Sequence, residues 1–106
     1  MLVSFESAKA YLRVDTHDED ELINGFLASA YSLCANVARL NSESVALIDA
    51  DPTENDSWEL TANRDTFRRG VLLALGYMFE HREDADYGGL VDTLRNLFFA
   101  IREGKY

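Results

Sequence analysis

The chain has very little cysteine, proline or histidine. One cysteine, Cys34, stands among 106 residues, so no disulfide can form within the chain. Cys34 lies among apolar residues at helical spacing and reads as a buried structural thiol. Two histidines, His17 and His81, are too few for a histidine-built metal centre. With one cysteine added, a four-ligand zinc site would have to borrow acids from separate helices. Positive charge is scarce as well: ten Lys and Arg face nineteen Asp and Glu, for a net charge of −9. No basic stripe is available to neutralise phosphates, which argues against gripping nucleic acid. A protein that surrounds DNA without holding it is not excluded, and the charge keeps a free subunit soluble. The opening MLVSFESAKAYL has neither a basic leader region nor a long apolar run. A cytoplasmic chain without signal peptide or membrane span is therefore expected. No internal repeat or low-complexity tract is present.

What is there reads as one helical domain over residues 1–106. Ser4 is a good N-cap for a first helix at about 4–13, with Phe5, Ala8, Tyr11 and Leu12 on one face. Thr16-His17-Asp18-Glu19 has the form of a capping box, a hydroxyl with a carboxylate three residues on. It predicts a second helix at about 17–39, whose acidic start suits the helix dipole. Its apolar face is Leu22, Ile23, Phe26, Leu27, Ala30, Leu33, Cys34 and Val37.

Residues 41–62 lose that period and contain the single proline, Pro52. Val45, Leu47 and Asp49 alternate, as do Trp58 and Leu60, which predicts a short hairpin or a long ordered loop. Asp49, Asp51 and Thr53 begin like a calcium loop. Glu54 stands where that loop needs glycine, and Leu60 where it needs its last carboxylate, so calcium is rejected. Asp51, Pro52 and Trp58 are left as a candidate contact surface on a polar projecting loop.

Asn63 is the expected cap of a third helix at about 64–83. Phe67, Val71, Ala74, Leu75 and Met78 form its main face, while Leu73, Tyr77 and Gly70 lie elsewhere on it. A helix apolar on several sides wants more partners than a small chain supplies. Gly70, Leu73, Tyr77 and His81 are accordingly candidates for a contact between subunits. A fourth helix at about 89–102 carries Leu90, Val91, Leu94, Leu97, Phe98 and Ile101 on one stripe. Phe99 faces away from that stripe, and with Arg102, Lys105 and Tyr106 it forms a candidate docking end.

The stretch most suggestive of chemistry is YMFEHREDAD, residues 77–86. Glu80-His81 lacks the second histidine of a zinc-protease helix. Gly88-Gly89 lacks the Lys-Ser/Thr of a phosphate loop, and no Gly-x-Ser-x-Gly elbow occurs. No carboxylate pair stands out among the nineteen acids. The simpler reading is a charged helix end, with His81 and Arg82 complementing the helix dipole. An enzyme is not expected, nor is a cofactor.

Two segments resemble a known family. Ala10-Tyr11-Leu12-Arg13-Val14-Asp15, followed by Asp18-Glu19-Asp20-Glu21-Leu22-Ile23, is similar to the opening of the small head–tail connector (adaptor) proteins of long-tailed bacteriophages and prophages. Leu72 through Glu83, LLALGYMFEHRE, resembles the Tyr-x-x-Glu-x-Arg-Glu-like end of that family's apolar helix. The chain departs from the pattern in the middle, with Arg39-Leu40-Asn41 in place of Gly-Arg and without the proline that in the family often leads into the third helix. The resemblance implies an all-α bundle of about four helices assembling into a ring, with roughly twelve subunits to match the portal. Partners would be other copies of itself, the portal protein and the next head-completion or tail protein. DNA would pass through the lumen without specific binding, in a virion structural protein made in the bacterial cytoplasm. On this reading Phe99, Arg102, Lys105 and Tyr106 face the portal, and the Asp51/Pro52/Trp58 loop faces the tail. The alternative is an acidic helical regulator that mimics DNA charge and binds one basic protein.

Overall fold

The structure is a computed structural model, and it describes residues 2–82 and 87–99. Among the described residues there are five helices and no strand: α1 (Phe5–Leu12), α2 (Asp20–Val37), α3 (Ser42–Asp49), α4 (Trp58–Glu80) and α5 (Gly88–Leu97). None of these helices is long and apolar enough to cross a membrane.

The core is built on α2 and α4. Ile23, Leu27, Ala30 and Cys34 recur every three or four residues on α2. They meet the Phe67, Val71, Ala74, Leu75 and Met78 face of α4. Burying each of the larger side chains contributes about 1.5–3 kcal/mol. Burial also pushes the Cys34 thiol up to about 12, which leaves it an unreactive apolar group. α5 runs back antiparallel along α4: Tyr87 meets Tyr77 edge-on, and Phe98 stacks on Phe67 at 5.8 Å. Phe98 also lies over Gly70, where a Cβ would come within 2.1 Å of the ring. Leu90, Leu94 and Phe98 are the buried stripe of α5, as its period predicts.

Where the sequence reading fails, local hydrogen bonds explain it. Residues 41–62 do not form a hairpin. Asn41 caps α3, its Oδ1 accepting from the Ser44 N–H at 2.8 Å. The buried residue is Ile48, one helical repeat beyond Ser44, whereas Leu47 is exposed. The apparent alternation covered too few residues to outweigh that cap. α4 begins at Trp58, six residues before the expected start. Ser57, not Asn63, caps it by accepting from the Leu60 N–H at 3.0 Å. Thr61 turns its hydroxyl back onto the Ser57 carbonyl, so it does not compete with the helix. Trp58 and Leu60 are therefore first-turn helical residues.

The capping box at Thr16 does not form either. α2 starts at Asp20, and its N-cap, Glu19, makes no side-chain cap bond. Both acids are committed elsewhere: Glu19 pairs with Arg82, and Asp20 with Lys9 at 2.7 Å. The Lys9 ammonium also donates to the Thr16 carbonyl at 2.6 Å, holding 16–19 as a turn. At its far end α4 stops at Glu80, with His81 as its C-cap. Glu83 lies outside the described residues, as do the positions beyond Phe99 in the fourth predicted helix.

Candidate functional site: a groove between the first and fourth helices

Two places in the molecule gather unusual side chains. The first is polar and closed. Arg64 falls on the same helical stripe as Phe67 and Val71, and it is 7% exposed. Its guanidinium donates to the Ile48 carbonyl at 3.0 Å, the Leu47 carbonyl at 3.4 Å and the Asp56 carboxylate at 2.9 Å. It thus serves the last carbonyls of α3, which have no partners within that helix. Asp56 also accepts from the Thr53 N–H and hydroxyl. Those bonds, the Thr53 N–H first and Arg64 next, hold its carboxyl below the usual value of 3.8. A neighbouring latch ties down the N-terminal segment. The Leu2 N–H donates to Asp49 at 2.6 Å, and the Val3 N–H to the Tyr31 hydroxyl at 2.7 Å. Desolvation pushes that hydroxyl up to about 12.

The second place is open and mixes apolar with charged side chains. A groove of about 570 Å³ lies between the end of α1 and the last two turns of α4. One wall is Tyr11, Leu12 and Arg13, and the other is Leu73, Gly76, Tyr77, Phe79 and Glu80. Arg13 closes α1 in the left-handed conformation, φ 59°, with its N–H on the Ala10 carbonyl. The Tyr11 ring crosses Gly76, where an added Cβ would sit 3.2 Å from it. Tyr11 and Leu73 remain 48% and 37% exposed.

The predicted site residues are distributed as follows. Leu73 and Tyr77 lie on the groove wall. His81 stacks on the Tyr77 ring at 4.1 Å, and its Nδ1–H donates to the Tyr77 carbonyl at 3.0 Å. That bond finishes α4, so the imidazole is a cap at the groove's end. Arg82 lies over Phe79 and reaches Glu19, tying α4 to the start of α2. Gly70 differs from expectation: it is buried, and the Phe98 ring of the same chain occupies the space a second subunit would need. Asp51, Pro52 and Trp58 are all exposed at the opposite end of α4. Phe99 is 60% exposed beyond α5, while Arg102, Lys105 and Tyr106 lie outside the described residues. Among the described residues no group of three or more His, Cys, Asp or Glu is arranged to hold a metal ion.

Arg64 and Tyr31 were not singled out from the sequence. A signal existed for Arg64, the one charged side chain in the i, i+3, i+7 register of an apolar face. None existed for Tyr31, whose partners lie 28 and 18 residues away. No protein-family model, curated protein or solved structure matches the chain.

Proposed function

We propose that the chain is a structural head–tail connector of a long-tailed phage or prophage. It forms a ring beneath the portal, extends the DNA channel and receives the next head-completion or tail protein. One observation carries this reading. Tyr11, Leu12 and Arg13 belong to one segment of the resemblance, and Leu73, Tyr77, Phe79 and Glu80 to the other. Sixty or more residues apart in sequence, they line one groove. The two segments thus lie side by side on one surface, as a shared contact role would require. The open groove, with Tyr11 and Leu73 exposed on its walls, is itself a candidate contact surface. The net charge of −9 supports the channel role, because an acidic lumen repels phosphates and lets DNA slide.

The test is native mass spectrometry and electron microscopy of the purified chain, followed by sedimentation with DNA-filled, portal-bearing heads of the encoding phage. Rings, free or on the portal, are the expected outcome. A chain that stays monomeric in both settings would overturn the reading. If that monomer bound one basic protein tightly, the acidic regulator would replace it.

A further inference from the structure

The groove has a counterpart at the other end of the molecule. Trp58, in the first turn of α4, is 82% exposed, the most exposed large apolar side chain among the described residues. Leu47, 57% exposed, lines a neighbouring cleft with Ser57 and Glu59, the residues on either side of that tryptophan. Together they make an apolar knob. At about 1.5 Å of rise per residue, Trp58 and Leu73 stand roughly 22 Å apart along one rigid helix. The knob therefore cannot enter the groove of its own chain.

We propose that Trp58 of one copy docks in the Tyr11/Leu73/Gly76 groove of the next. Charge supports a second copy as the occupant. No Lys or Arg occurs from Asn41 to Asn63, a stretch holding Glu43, Asp49, Asp51, Glu54, Asp56 and Glu59. Asp49 and Asp56 are used within the chain, while the other four acids are exposed around the knob. On the groove side, Arg13 is exposed and has no acid partner among the described residues. Arg69, one turn before Leu73 on the same face, is 70% exposed and shares the single carboxylate of Asp65 with Arg68. An acidic knob thus meets a groove flanked by two arginines. Glu80, the acid on the groove wall, repels the knob from that end and so sets its orientation.

A knob at one end and a groove at the other make a heterologous contact, which propagates head to tail and closes into a ring where the rotation allows. A buried tryptophan covers about 150–250 Å², less than the roughly 800 Å² per partner of a stable interface. One contact is therefore weak, and association of the free chain depends on concentration. The contact deepens the ring reading above and rests on it for closure.

The experiment uses Trp58→Ala and Leu73→Glu, both at exposed positions that leave the far-UV spectrum unchanged. Wild-type protein should associate as concentration rises in sedimentation velocity. Emission from Trp58, the only tryptophan, should move to the blue, with less acrylamide quenching. Each variant alone should associate at least tenfold more weakly. Mixed, the two should pair and stop at heterodimers, because each supplies the surface the other lacks. A wild type that stays monomeric at millimolar concentration, variants that associate like wild type, or an unpaired mixture would each overturn the contact. Rings that persist in both variants would remove this contact and leave the connector reading standing. Heterodimers from a chain that neither closes into rings nor binds a portal would keep the contact and remove the connector reading.

Discussion

The two ends of α4 treat their awkward groups in opposite ways. At the N-terminal end a charged side chain is buried, and each of its three nitrogens finds an acceptor: Arg64 meets two carbonyls of α3 and the Asp56 carboxylate. At the C-terminal end apolar side chains are left in water: Leu73 and Tyr11 line an open groove. The polar cluster of the first end is satisfied within one chain, while Trp58 beside it stays exposed. The groove at the second end is folded but unfilled. Substitutions in the cluster should therefore cost stability, and those at Trp58 or in the groove should cost association.

The largest loss of stability is expected at the closed end. Arg64→Met keeps much of the buried volume but strands the Ile48 and Leu47 carbonyls. Breaking such a buried cluster from one side should cost about 3 kcal/mol in urea unfolding. A loss below about 1 kcal/mol would mean that water replaces the guanidinium and the clamp is not what holds residues 50–57. Acid should probe the same clamp. Asp56 has a folded pKa below its ordinary value of 3.8. Its stabilisation is fully present above that value and is lost as pH falls through the folded pKa. Amide resonances of Thr53 and Asp56 should therefore shift below pH 3.8, and do so at higher pH in Arg64→Met. Coincident titrations in both proteins would exclude Arg64 as a cause of the lowered pKa.

A smaller effect is expected midway along α4. Gly70→Ala sets a methyl 2.1 Å from the Phe98 ring, which must move. Overpacking costs typically about 1–3 kcal/mol, partly offset by alanine's better helix propensity. The net expectation is a loss of about 1–2 kcal/mol, with faster hydrogen exchange in α5. Adding Phe98→Leu should recover part of that loss. No recovery would show that the strain lies elsewhere.

The contrast between the ends also explains what could be read in advance. The α2, α4 and α5 faces were legible because a repeated apolar period records burial directly. The exposed positions of Leu73 and Phe99 were legible for the same reason, as departures from that period. Residues 41–62 were not legible. Their structure is decided by single side chains, Asn41, Ser57 and Arg64, acting on backbone groups up to seventeen residues away. The capping box at Thr16 misled because its carboxylate, Glu19, pairs with Arg82, distant in sequence, while Lys9 holds the Thr16 carbonyl and Asp20 in the preceding turn. Gly70 was read as a point of contact between subunits, but the ring that covers it is Phe98 of the same chain, which the sequence does not reveal.

The smallest effect separates the groove from the fold most finely. Arg13 and Arg39 both adopt the left-handed conformation, with φ 59° and 57°, and each closes a helix. For residues with a Cβ this conformation costs roughly 1 kcal/mol, which glycine avoids. Glycine in turn gives the unfolded chain more freedom, so the net gain is expected at about 0.5 kcal/mol in each case. Arg39 follows α2 and takes no part in the groove, whereas Arg13 lies on its wall. Arg39→Gly should therefore raise the thermal midpoint slightly and leave self-association unchanged. Arg13→Gly should raise the midpoint by a similar amount yet weaken association severalfold, more so at low salt, where the lost attraction to the acidic knob is least screened. Equal association by the two variants would show that Arg13 closes its helix and does nothing for the groove.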